Sequence, residues 1–459
     1  DILYSVDIGD APVFTYGRDG YFVDLTDYFN DKEGASKNFW DRVETLLTEE
    51  QQSVVMNTIQ DPDNDNHIYS VPTIETSLID SRYYQPWINR TWLDRLGLDM
   101  PTNTQQLYDV LVAFNTKDPD GNGDPHNEIP LLGAEREPMG GQVIDWLINM
   151  FIYYHYDRKW QPDENGTLQY VYTQDAYREA LKFIHKLYEE ELLSNMVYTA
   201  TNTEIKAIAT PTAGDPMVGI FVGHLTLCTN ADSTEILKQY EALPLWGKGF
   251  IERDVGCRMK AFITSDCDNP DGAFEILMLL FSEEGSMRTR YGEYGKDWTD
   301  ADEGAVSDLG LPAKYKVLND TQSTRHSANW GQYASCFNWY AEGEEAQMSD
   351  NVSEYIALKQ KLHGDSYRLF AEAAKGNPEV VCPVLVATSE EKEMTDNQRT
   401  AVTDYVNRME TNFITGIGDQ CDIDKDADWN TYLAKINELG FEDFQGHVQM
   451  CYDRQVNAA

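Results

Sequence analysis

The sequence predicts an α/β protein, and three observations carry that prediction. Amphipathic helical patterns alternate along the chain with short, strongly apolar strand-like runs, as expected where helices cover sheets. The length, 459 residues, calls for two domains or three. The composition is globular, with 41% hydrophobic and 25% charged residues and 12% aromatics, far more ring surface than a disordered acidic chain carries.

Near the start, Gly9-Asp10-Ala11-Pro12 reads as a turn, and Val13-Phe14-Thr15-Tyr16 alternates behind it. Tyr21-Phe22-Val23-Asp24-Leu25 then runs into a capped segment at Thr26-Asp27. His67 to Pro72 alternates like a strand, as does Ser81-Arg82-Tyr83-Tyr84. A short helix begins at Asn89-Arg90-Thr91-Trp92-Leu93, and Gly97 stops it. With Thr102 or Asn103 as cap, Leu107, Val110, Leu111 and Phe114 recur at i, i+3, i+4, i+7 and define an amphipathic helix. Further helices are expected at 141–155, 173–193, 270–284, 351–374, 395–413 and 428–450, the last preceded by an acidic linker from Asp422 to Asp428. Met217 to Val222 and Ala261 to Thr264 supply buried strands between them.

Charge excludes several function classes. Lys plus Arg number 36 against 78 Asp plus Glu, a formal net charge of −42 that repels phosphate backbones and anionic lipid heads. The longest nearly unbroken apolar run, Ala273 to Phe281, is far short of the roughly 20 residues a bilayer span needs. Asp1-Ile2-Leu3 opens as if cut from something longer. The seven cysteines form no C-x-x-C pair and are odd in number, so free buried thiols, with room for one disulfide, are expected rather than a zinc site. Glycine-rich phosphate loops, G-x-S-x-G and H-E-x-x-H are all missing. A paired-carboxylate glycosidase or lyase has no sequence signature and stays as the rival from another class.

The strongest local chemistry follows that amphipathic helix directly. Asp118-Pro119-Asp120-Gly121-Asn122-Gly123-Asp124 puts oxygen side chains at alternate positions, and Gly123, sixth in the loop, can take the positive φ that wraps chain around an ion. The Asp124 carbonyl would be the seventh-position ligand, which is the logic of a calcium loop. Its second half departs from an EF-hand. Position twelve is Ile129, Glu128 falls one place early beside Asn127, and Pro130 blocks an exiting helix. One or both of Asn127 and Glu128 would complete the ligand set. An ion-free Asx-rich turn uses the same residue types. Asp61 to Asn66 looks like a second copy but lacks the sixth-position glycine, and reads as an exposed hairpin turn.

The run from Trp92 to Leu98, Pro101-Thr102-Asn103, the helix, the Asp118–Gly123 loop and Asn127-Glu128-Ile129-Pro130-Leu131 together resemble the large extracellular solute-binding proteins of bacterial ABC importers for oligosaccharides, the alginate-oligosaccharide binders among them. Gly9 to Pro12, Tyr291 to Trp298 and the tail from Trp429 to Gly440 are similar to that family in weaker ways. The resemblance implies a two-lobed periplasmic-binding-protein-like fold of the type II, large cluster, with an interlobe cleft and a hinge. It implies an N-terminal lobe of 1–115 and about 260–320, a C-terminal lobe of about 116–259 and 321–425, and a helical segment at 426–459. The family's first strand-helix-strand unit, signal peptide and lipidated cysteine are not in this chain. Also implied are a structural calcium, an oligosaccharide ligand and ABC permease subunits as partners. The implied protein is a monomer on the extracellular face of the membrane or in the periplasm, tethered only through a lipid anchor outside this chain.

Sugars offer C–H faces to aromatic rings and hydroxyls to polar side chains. Trp330 and Trp339 lie in polar, glycine-containing stretches, and the relatives put a stacking Trp in a similar segment. Trp339 is the first candidate and Trp330 the second. His224, just after the buried run, Glu75 and Tyr83, flanking the loop after Val71-Pro72, and Trp298 in the Gly-rich loop complete the candidate contacts. Each has a plainer reading as a core or interlobe filler.

Overall fold

The computed structural model describes residues 1–75, 85–124, 126–134, 142–154, 159–244, 246, 255–307, 309–318, 337–338, 345–348, 353–374, 382, 385 and 387–458. The chain divides into two units, Asp1–Ser81 with Arg253–Ser353 and Val384–Ser389, and Arg82–Glu252 with Glu354–Pro383 and Glu390–Ala459.

In the first unit, Gly256–Ile263 pairs antiparallel with both Ile2–Tyr4 and Val71–Glu75, and Phe337–Asn338 adds parallel to the last strand. The core packs Val13, Phe29, Phe39, Val55 and Phe274 from the helices around Phe262 and Ile74 from the sheet. The stretch expected as a turn and alternating run is instead a helix, Asp10–Arg18. Pro12 falls in its first turn, where a missing N–H costs nothing. Val13, Phe14 and Gly17 are its buried residues, a helical spacing. The helix expected over 270–284 is two, Pro270–Leu279 and Glu283–Tyr291, because Ser282 breaks off and caps the second by accepting from the Gly285 N–H at 3.0 Å.

The second unit is built on the sheet Tyr240–Ala242, Pro86–Asn89, Val218–Val222 and Ile129–Leu132, in that order; the first two pairings are antiparallel and the last parallel. Every residue of Val218–Val222 is buried, which explains its unbroken apolar run. The expected lobe cut at 115 falls instead at Ser81/Arg82. The physical reason is the pairing of Pro86–Asn89 with strands more than a hundred residues away, which carries the following two helices into the second unit. Likewise 426–458 is no separate segment. Arg178 grips Asp426 at 2.7 Å, the Tyr432 hydroxyl donates to the Tyr172 carbonyl at 3.0 Å, and Gln449 bonds Leu168 and Gly166. That tail folds as Asp426–Glu438 and Phe441–Ala458, split where Gly440 adopts φ 90°.

Gly219 shows how tightly this sheet is packed. A Cβ there would stand 2.3 Å from the Phe114 ring and 3.0 Å from the Pro130 carbonyl oxygen. Gly219→Ala is expected to cost about 1–3 kcal/mol through overpacking, read as a lower midpoint in denaturant at unchanged slope. An unchanged midpoint would mean that the ring swings aside freely.

Candidate functional site

Asn103 accepts from the Gln106 N–H at 2.9 Å and starts the helix Thr104–Thr116, whose buried face is Leu107, Val110, Leu111, Ala113 and Phe114. At its end Asp118 takes φ 47°, and Gly121 and Gly123 take 75° and 93°, turning the chain back on itself. The loop closes on its own amides. Gly123 N–H donates to Asp118 Oδ2 at 3.1 Å, Asn122 N–H to Asp120 Oδ1 at 3.0 Å, and Asp124 N–H to Asn122 Oδ1 at 2.7 Å. Arg95 donates to the Pro119 carbonyl from the neighbouring helix and braces the turn. Nothing in the local pattern announces that brace, because it comes from 24 residues away.

This backbone brings Asp118, Asp120 and Glu128 together, with one oxygen from each within 4.8 Å of the others. Two oxygens each about 2.4 Å from one calcium lie at most about 4.8 Å apart, so the spacing suits that ion. Glu128 is only 8% exposed, and among the described residues neither of its carboxylate oxygens, nor Asp118 Oδ1, has a hydrogen-bond partner. Burial raises the Glu128 carboxyl above the usual range, and the charges of Asp120 and Asp118 push it further against the opposing pull of the nearby Glu128 and Asn127 backbone N–H groups. Three crowded carboxylates with orphaned buried oxygens fit a hard divalent cation. Of the two residues that spacing left open, Glu128 turns in and Asn127 is exposed.

The second Asp-rich loop makes the contrast. Gln60–Asp61 pairs antiparallel with His67–Ile68, so 61–66 is the expected hairpin turn. It is not exposed throughout, because Asp61 is fully buried and its two oxygens accept from Arg18 Nη1 at 3.0 and 3.1 Å. Asp63 accepts from the Ser389 N–H at 3.1 Å, and its carboxyl is held below the usual range by Ser389 and Arg18 against the opposing effect of burial. Here a guanidinium bonds the carboxylate directly, whereas Arg95 at the 118–128 loop donates to a backbone carbonyl.

Of the expected sugar contacts, Trp339, Trp330 and Tyr83 lie outside the described residues. His224 follows the carboxyl end of Val218–Val222, where its Nδ1 accepts from the Thr226 N–H at 3.3 Å and its ring tilts against His363 at 5.1 Å. Glu75 ends its strand opposite Gly256 and beside Asn338, so the residue before Trp339 is registered next to Glu75. The described strand Phe337–Asn338 thus pairs beside Glu75 in the first unit. Trp298 is 7% exposed, its indole N–H donates to the Gly292 carbonyl at 3.1 Å, and Tyr294 and Tyr315 meet it edge-on, so it packs on the small sheet of Trp298–Asp300, Tyr315–Val317 and Ala346–Met348. The second unit also holds an open groove of about 940 Å³ beside the loop, lined by Glu128, Glu191, Asp424 and other acids. Among the described residues its rings are Tyr188 and His185.

Cys267 and Cys421 carry free thiols. Among the described residues no helix is long and apolar enough to cross a membrane.

No protein-family model matches the chain. It is 23% identical over 474 aligned positions to the fructooligosaccharide ABC transporter substrate-binding protein FusA of Streptococcus pneumoniae, covering 99% of this chain and 80% of FusA. A shorter match, 36% identical over 107 residues, covers 23% of the chain and 20% of the lipoprotein LipO of Bacillus subtilis. Among solved structures, FusA in complex with kestose superposes with a TM-score of 0.70 at 21% identity, covering 100% of this chain and 88% of FusA. FusA has also been solved as an EF-hand mutant. A human-milk-oligosaccharide-binding solute-binding protein from Bifidobacterium longum infantis superposes at 0.73 and 20% identity, covering 99% of this chain and 87% of that one. The resemblance read from residues 89–131 thus extends over the whole chain, which has the two-unit α/β fold of the solute-binding proteins of ABC transporters.

Proposed function

We propose that this protein is the extracytoplasmic oligosaccharide-binding subunit of an ABC sugar importer. The observation that carries the reading is similarity along 99% of the chain to a substrate-binding protein of that kind. Such relatives are binding proteins of transporters, not enzymes, and this chain acts as they do. It binds sugar without covalent chemistry, as a monomer held at the membrane through a lipid anchor, and passes the sugar to permease subunits.

Trp339 and Trp330 stack on sugar rings, and Glu75, Tyr83 and His224 bond hydroxyls. The register of Asn338 beside Glu75 supports placing an aromatic and an acidic contact in one site. In the other unit His224 occupies the carboxyl end of a parallel-paired strand, the edge where α/β sheets commonly receive ligands. The ligand is taken between the two units, which close on it.

A structural calcium in the 118–128 loop is held by Asp118, Asp120, Asn122, the Asp124 carbonyl and Glu128. When bound it neutralises the crowded carboxylates and pins the end of the Thr104–Thr116 helix to the strand Ile129–Leu132. The orphaned Glu128 oxygens and the EF-hand named for FusA support this.

Titration calorimetry against neutral and uronic-acid oligosaccharides, followed by chromatography of the recovered sugar, tests the main reading. Saturable binding with the sugar returned intact is expected. Shortened or unsaturated chains would overturn it in favour of a hydrolase or lyase. Small-angle scattering with saturating sugar should give a smaller radius of gyration; an unchanged radius alongside proven binding would remove the closure step alone.

A further inference from the structure

The acidic groove of the second unit lies where three segments of chain meet. The first is Glu128, Ile129 and Pro130, leading from the cation loop into the strand Ile129–Leu132. The second runs from His185, near the end of the helix Asp175–Glu189, to Asn195, and the third from Thr415 to Asp428. Their mutual placement is fixed without a ligand. His185 Nδ1 donates to the Ile414 carbonyl at 3.0 Å, since a carbonyl can only accept, and ties the second segment to the third. The Ser194 N–H donates to the Leu131 carbonyl at 2.9 Å and ties the second to the first. Gly416, at φ 67°, lies against the His185 ring, where a Cβ would stand 3.4 Å from Cε1.

Six carboxylates line this groove against one ammonium. That ammonium, on Lys425, is 2.8 Å from Asp422 Oδ2, and Asp428 accepts from the Asp422 N–H at 2.9 Å. Among the described residues no ion pair compensates Glu189, Glu191 or Asp424, all of them exposed. Glu128 adds a buried charge. It is 8% exposed, neither of its oxygens has a hydrogen-bond partner among the described residues, and the cation loop draws on one oxygen from it. The other acids are not gathered as metal ligands are, because among the described residues only Asp118, Asp120 and Glu128 form a group of three close enough to hold one ion. Carboxylates spread over three segments, one of them buried, suit several positive groups strung on a flexible chain better than one compact cation. We propose that this groove binds a linear oligoamine, one ammonium meeting Glu128 and others meeting Glu191 and Asp424, with methylene spacers over Ile129 and the Tyr188 ring. Glu128 then serves both the groove and the cation loop, so calcium and the amine weaken each other's binding by the same factor. That coupling rests on the calcium reading of the loop; binding in the groove does not.

A chain with a net charge of −42 attracts any oligocation diffusely, so the test compares variants of equal charge. Spermine is the probe, titrated by calorimetry in chelator at about 0.15 M salt, where interactions beyond roughly 8 Å are screened. One saturable equivalent per chain is expected. Heat without saturation, or several equivalent weak sites, overturns the proposal. Glu191→Gln with Asp424→Asn removes two ion pairs to the amine and should weaken binding about tenfold. Glu275→Gln with Glu393→Gln removes the same charge outside the groove and should leave binding unchanged. All four positions are exposed, so neither double variant disturbs the core. An equal loss in both overturns the proposal. In saturating calcium the wild-type affinity for spermine should fall about fivefold. A chain that gives calcium heat of its own yet keeps its spermine affinity overturns Glu128 as the shared anchor. A chain that gives none loses the calcium reading and the coupling together, while the titrations in chelator still decide the groove.

Discussion

Chelating calcium is expected to lower the melting temperature of this protein by roughly 5–10 °C, and adding calcium back should restore it. A ligand at a hundredfold its dissociation constant stabilises the folded state by about 2.7 kcal/mol, and a domain of this size loses about 2–4 °C per kcal/mol. The magnitude is plausible on electrostatic grounds, because without a cation Asp118, Asp120 and Glu128 repel one another at close range and Glu128 is buried. Asp120→Asn preserves oxygen for the Asn122 amide yet removes a charge from the ligand set. It should melt low in calcium and respond little to chelator. Scanning calorimetry of both proteins, with chelator and with calcium restored, decides the matter. Superimposable wild-type melts would reduce the loop to an Asx-rich turn.

Trp339→Ala should weaken oligosaccharide binding by roughly thirtyfold while leaving the fold intact. Truncating an aromatic anchor in a binding site typically costs about 2 kcal/mol or more, and about 1.4 kcal/mol is a decade in affinity. Calorimetry on wild type and variant measures this. The melting shift expected on chelation serves as the control for folding. Equal affinities would remove Trp339 from the site and leave the binding reading standing; Trp330→Ala would then be the next variant.

Several features were legible without a structure because their causes are local. The helix Thr104–Thr116 announces itself through the spacing of its apolar face and an Asn cap within three residues. Gly97 ends the preceding helix in a left-handed conformation, as its position demands. The Asp118–Asp124 loop is readable for the same reason: alternate oxygens and a glycine act on a few consecutive peptide groups. Local reading failed where the same residues serve two local purposes. Gly9 to Pro12 looks like a turn, and also suits the first turn of a helix. Trp298 stands in a glycine-rich stretch by sequence, and its neighbours Tyr294 and Tyr315 pack it into a core.

The amino-acid sequence by itself determined the α/β class, the turning Asp118–Asp124 loop with its side-chain caps, and the family likeness. It did so because periodicity, capping and turn chemistry operate over fewer than about a dozen residues. The tertiary structure decided the rest. Pairing of Pro86–Asn89 with Val218–Val222 set the boundary between units, and Arg18 filled one Asp-rich loop while the other kept orphaned oxygens. The strand Ile129–Leu132, by joining the sheet, left Glu128 buried beside Asp118 and Asp120 and Asn127 in solvent. Burial and charge compensation are properties of neighbours in space, and in this chain those neighbours are tens to hundreds of residues apart.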